Sequence, residues 1–290
     1  MFMLWKRRRL SSAIALLAML AACTPDGQPE SERGPVVTAP VAPVAGIARA
    51  LLPPDLLDVV VLVPAGANPA TYEPSIRDLR LASRSLLYLE VGHPSFVFER
   101  TWLDGLLEGS SAERLRLFDE CPTLADDAHA WLSTRCLDAA ARGTADALVR
   151  LLPEYGPQIS ANLRIFRDRV AAAQAMAAQR LAEHRGNQFF VLHPAWGYFA
   201  RDHGLEQVEI LSHGTGDPGA SRLARLIQTG REEGIQTVFV QPQFNSEPAE
   251  LIAREIGARV VSLDPLSDDP VAIVEQTAAA LATAFGSRIP

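Results

Sequence analysis

Four histidines in this chain of 290 residues stand just beyond short apolar, β-rich runs. His93 follows the run 86–89, His129 lies beyond 115–118, His193 comes directly after 189–192, and His213 after 208–211. Asp264 stands in the same relation to 260–263. A neutral imidazole offers a nitrogen lone pair and a carboxylate an anionic oxygen. Together they suit borderline divalent ions such as zinc, and manganese where oxygen predominates. A single histidine is more often a surface or capping residue, so the reading rests on the set.

Chelation requires elements that bring distant residues to one place. Apolar runs at 59–63, 86–89, 115–118, 189–192, 208–211, 238–240 and 260–263 alternate with helical patterns, which favours parallel sheets covered on both faces. Ligands in such sheets bind outside the carboxyl ends of the strands, where the histidines fall. From 136 to 185 the alternation gives way to two helical stretches, and 157–185 reads as one long helix closed by Gly186. The expected fold is α/β: two (β/α) lobes with mostly parallel sheets, joined by one long backbone helix, with the site in the cleft between lobes. A last helix over 271–284, entered through Asp268-Asp269-Pro270, is expected to pack on the second lobe.

The N-terminus reads as an export signal. Lys6, Arg7, Arg8 and Arg9 precede an apolar run over 10–20 that is too short to span a bilayer, and the run ends Leu20-Ala21-Ala22-Cys23. Small residues before a cysteine fit a lipoprotein cleavage site, so residues 1–22 are expected to be removed and Cys23 lipidated. The proline-rich stretch 23–43 is expected to form a flexible tether. A lobe over 44–156, the helix over 157–185 and a lobe over 186–290 would follow. Residues 1–22 hold four of the 27 basic side chains and none of the 34 acidic ones, which leaves 23 against 34, a net charge of −11. That balance argues against a nucleic-acid partner. In an oxidising compartment Cys121 and Cys136, which lack C-x-x-C spacing, are expected to form a disulfide rather than bind metal.

Val61-Leu62-Val63-Pro64-Ala65-Gly66-Ala67-Asn68-Pro69-Ala70-Thr71-Tyr72-Glu73-Pro74 resembles a strand and loop of the zinc/manganese family of ABC-importer solute-binding proteins, where the loop usually reads Pro-His-x-Tyr-Glu-Pro. Asp127-Ala128-His129-Ala130-Trp131-Leu132 resembles the family's Asp-Pro-His-x-Trp. His193-Pro194-Ala195-Trp196-Gly197-Tyr198-Phe199 is similar to its His-x-x-x-x-Tyr-Phe. Val238-Phe239-Val240-Gln241-Pro242-Gln243 and Leu263-Asp264-Pro265-Leu266 resemble its last two strands with their loops.

The resemblance implies a cargo of Zn2+, with Mn2+ as the alternative, held by His129, His193 and Asp264. It also implies delivery to a membrane permease driven by its ATPase, by a monomer that is periplasmic or on the cell surface and held to the membrane only by its lipid. The family's first ligand position is Ala70, whose methyl group cannot coordinate, and the family's His-rich acidic loop has no counterpart between 99 and 129.

Three answers to that gap stand open: His93 supplies the missing nitrogen, water or Glu73 completes a three-donor shell, or the site has lost metal. Glu73 and Asp127 are the candidate acceptors for imidazole N–H groups. Other functions consistent with the residues are a zinc hydrolase with three ligands and an open position, in which Glu73 is the only base candidate, and a surface adhesin or interaction lipoprotein. Otherwise the chain is not expected to be an enzyme.

Overall fold

The computed structural model describes residues 34–211 and 218–286. The export segment 1–22, Cys23 and His213 lie outside the described residues. The first half runs β1 (Val36–Ala39), α1 (Ala42–Leu51), β2 (Asp58–Val61), α2 (Ile76–Ser83), β3 (Ser85–Glu90), α3 (Val97–Leu106), β4 (Glu113–Arg116) and α4 (Thr134–Leu151). After α5 (Gly156–Leu181) come β5 (Gln188–Val191), α6 (Gly197–His203), β6 (Glu206–Glu209), α7 (Gly219–Glu232), β7 (Thr237–Val240), α8 (Glu247–Ile256), β8 (Arg259–Ser262) and α9 (Pro270–Gly286).

The strands form two four-stranded sheets, ordered β2-β1-β3-β4 and β6-β5-β7-β8, and every pairing is parallel. Central strands β1 and β7 are buried along their whole length, whereas edge strand β8 is largely exposed. Central strands of a parallel sheet are covered on both faces and so read as continuous apolar runs. The seven runs marked in the sequence all fall on strands, displaced by one or two residues.

β1 corrects the expected tether. Residues 36–43 belong to the folded body: Val36, Val37, Thr38 and Ala39 form a buried central strand, and α1 begins at Ala42 with Pro43 in its first turn. Pro35 and Pro40 bracket the strand without interrupting its ladder, and Pro43 occupies a position where its missing N–H is an orphan in any helix. Prolines that read as a tether are here the punctuation of a strand and a helix start.

α5 is 26 residues long, or about 39 Å at the α-helical rise, and continues through a 3-10 turn over Ala182–His184 to Gly186, whose φ is 79°. It packs against α1, α4 and α9. α9 lies against α5, α1 and α4, and its Thr277 Oγ1 accepts Trp196 Nε1–H of the second lobe at 3.2 Å. Its buried positions Val274, Ala278, Leu281 and Phe285 form one stripe at helical spacing, and its alanines allow close helix approach. One apolar core accordingly runs through both halves, taking in Val37, Leu87 and Leu148 together with Trp196, Phe199 and Phe239. A second, smaller core of Phe190, Leu192, Ile210, Val238 and Ile252 lies on the other side of the second sheet.

Cys121 and Cys136 are joined, with Cα atoms 5.4 Å apart and a sequence separation of 15. Closing a loop of that length contributes roughly 3 kcal/mol in the chain-entropy picture. The closed loop is the one that carries Asp127 and His129.

Candidate metal centre

His129 ends the irregular segment that follows β4, immediately before a 3-10 turn over Ala130–Leu132. Asp127 fixes it. One carboxylate oxygen, Oδ1, accepts the His129 amide at 2.8 Å and His129 Nδ1–H at 2.7 Å. An ionised carboxylate can only accept, so Nδ1 carries the proton and Nε2 keeps the lone pair a metal ion needs. The other oxygen, Oδ2, accepts the Gly197 amide at 2.9 Å. A Cβ at Gly197 would lie 2.5 Å from that oxygen, so the close approach requires glycine.

His193 follows β5 directly. Gln241, buried at the end of β7, takes hold of its backbone: the Gln241 carboxamide oxygen accepts the His193 amide at 3.1 Å, and Nε2 donates to the His193 carbonyl at 2.6 Å. Phe244 stacks on the imidazole at 4.6 Å between centroids. The rings of His129 and His193 lie edge to face, 5.4 Å apart. Two imidazoles on one tetrahedral zinc have centroids about 5 Å apart, given Zn–N bonds of about 2.0 Å. The pair therefore stands at a separation that one ion can bridge.

Asp264 follows β8. Its Oδ1 accepts Gln243 Nε2 at 2.8 Å and the Leu266 amide at 2.9 Å. The adjacent Pro265 carbonyl accepts Trp131 Nε1–H at 2.8 Å, which ties the Asp264 loop to the His129 turn. Among the described residues, however, no three His, Cys, Asp or Glu side chains are gathered closely enough to hold an ion. The expected three donors thus form an imidazole pair with Asp264 on an adjoining loop, its Oδ1 engaged by Gln243 and the Leu266 amide.

His93 is corrected as a ligand. Its Nδ1 accepts the Ser95 amide at 3.1 Å, and its Nε2 lies 2.9 Å from the Leu124 carbonyl, to which it donates. Both ring nitrogens are spent on backbone, so His93 pins one loop to another; Ser95 Oγ adds a bond to the Ala125 carbonyl at 3.1 Å. Glu73 is corrected as an imidazole acceptor: it is exposed, and no described histidine bonds to it. Ala70 is exposed as well, its amide donating to Asn68 Oδ1 at 2.9 Å.

Sequence reasoning gave no role to Gln241 and Gln243, although it quoted both. The usable signal was two amide side chains within three residues of the end of a fully buried strand, where a polar group must find partners or remain unsatisfied. Gln243 Oε1 is in fact buried without a partner among the described residues, a penalty of about 1–3 kcal/mol. The aromatic neighbours behave as packing: Trp131, Trp196, Tyr198 and Phe199 are all buried.

The model of the zinc-uptake complex component A, periplasmic family (ZnuA) matches residues 37–284. The chain belongs to this family. It is 27% identical to the high-affinity zinc uptake system protein ZnuA of Yersinia pestis, over 91% of this chain and 92% of that protein. A crystal structure of ZnuA superposes with a TM-score of 0.81 at 32% identity, covering 87% of this chain and 99% of the other. A manganese-bound periplasmic metal-binding protein from Candidatus Liberibacter asiaticus shares the fold with a TM-score of 0.75 at 17% identity. The family's two α/β lobes and linking helix are those described above.

Proposed function

We propose that this ZnuA-family chain captures Zn2+ outside the cytoplasm and delivers it to an ABC permease driven by its ATPase. In this reading His129 and His193 hold the ion first and Asp264 supplies the third donor as its loop moves toward them. The observation that carries it is the imidazole pair, 5.4 Å apart, with the His129 proton held on Nδ1 by Asp127. An ion that fits such donors is borderline in softness, which favours zinc and keeps manganese as the alternative. With no fourth side chain at Ala70, water completes the shell.

The chain acts as a monomer, exported and anchored through lipidated Cys23, with a short tether between Cys23 and β1. No helix among the described residues is long and apolar enough to cross a membrane. Exposed Glu73 is the only base candidate for a hydrolytic reading, so we infer binding without turnover.

Isothermal titration of the mature protein with zinc is expected to show one tight site. Replacing His129 and His193 together by alanine should abolish it while circular dichroism stays unchanged. Stoichiometric zinc uptake by a folded double variant would overturn the assignment.

A further inference from the structure

Asp264 Oδ1 already accepts two N–H groups, from Gln243 Nε2 and from the Leu266 amide. A carboxylate oxygen has two lone-pair sites, so this one is filled. No described residue donates to Oδ2, the oxygen that remains for an ion. One-oxygen ligation suits four-coordinate zinc, whereas manganese prefers a larger, oxygen-rich shell and gains from a second carboxylate oxygen.

We propose that Gln243 is a specificity-determining residue: by occupying Asp264 Oδ1 it enforces one-oxygen ligation and so favours zinc over manganese. The inference rests on the zinc-binding reading above and deepens it. The orientation of the carboxamide supports it. Turning Gln243 around would set its oxygen against a carboxylate oxygen, so Nε2 must face Asp264, and Oε1 is left buried without a partner among the described residues. A buried orphan of this kind calls for a reason, and restraint of a ligand supplies one. The neighbouring Phe244 stacks on His193, so the same short segment after β7 governs both donors of the second lobe.

The test measures zinc and manganese dissociation constants of the mature chain and of Gln243→Leu by competition with a chromophoric chelator. Removing the N–H donor frees a lone pair on Oδ1, so the zinc-to-manganese affinity ratio is expected to fall by about ten- to hundredfold, the size of effect such outer partners have on metal sites. A ratio unchanged in a variant that still binds zinc would overturn the proposal. Should Gln243→Leu fail to fold, crystals of the wild-type protein loaded with zinc serve instead. Asp264 is expected to meet the ion through Oδ2 alone, and two-oxygen ligation would overturn the proposal. Failure of the wild type to bind either ion would overturn the zinc reading itself, an outcome distinct from binding with an unaltered ratio.

Discussion

At the scale of single residues, the contrast between His129 and His93 shows what makes an imidazole available to metal. Both have Nδ1 engaged by a residue two positions away in the chain, but the partner differs. A carboxylate on Nδ1 leaves His129 with a lone pair at Nε2, whereas an amide donor on one side and a carbonyl on the other leave His93 with none. Asp127→Ala is therefore expected to weaken zinc binding about 10- to 100-fold by releasing the ring and its tautomer. His93→Ala should leave the stoichiometry intact and lower only stability. Calorimetry on the two variants side by side checks this, and loss of the zinc site in His93→Ala would contradict the assignment.

At the scale of elements, α3 clamps the loop that bears His93. Glu99, in its first turn, accepts the amides of Val91 at 2.7 Å and Gly92 at 2.8 Å. Burial pushes its carboxyl up from an ordinary 4.5 to about 7; the two backbone bonds and Arg116 oppose the rise, and Glu90 adds to it. A raised folded-state value means that the group's stabilising contribution is complete below about pH 4.5 and is lost as the pH climbs through about 7. The shift corresponds to about 3 kcal/mol. Urea midpoints at pH 5 and pH 8 are expected to show the wild type gaining stability on acidification relative to Glu99→Gln. Parallel behaviour of the two proteins would show that Glu99 does not titrate as described. The clamp matters because His93 and Ser95 in turn hold residues 124 and 125, just before Asp127.

At the scale of the whole molecule, the lobes are joined by more than α5. The disulfide-closed loop reaches across to the second half through Leu124 N–H on Tyr198 Oη at 3.2 Å, Asp127 on Gly197, and the Pro122 carbonyl on Arg201 at 3.0 Å. At another joint α1 meets the entry to α9. A Cβ at Gly46 would lie 2.0 Å from the Asp268 carbonyl oxygen and 2.9 Å from Pro270 Cδ, both too close to accept. Gly46→Val is expected to destabilise the protein by about 1–3 kcal/mol or more, as overpacking does. Thermal unfolding checks this, and an unchanged midpoint would mean that the joint yields freely.

Local pattern was enough to determine the α/β alternation and the long helix, because periodicity is a property of neighbouring residues. β1 escaped because prolines on both sides of four buried residues look the same in sequence whether they flank a strand or fill a tether. That α9 also packs on α1, α4 and α5 escaped because an apolar stripe does not name its partners. Only the tertiary structure decided which polar groups are already spent. His93 reads as a ligand until Ser95 and Leu124 are seen to take both of its nitrogens, and Gln243 reads as a loop residue until its carboxamide is seen on Asp264. Hydrogen-bond partners lying tens of residues apart are set by how the chain folds back on itself, and spacing along the chain does not record them.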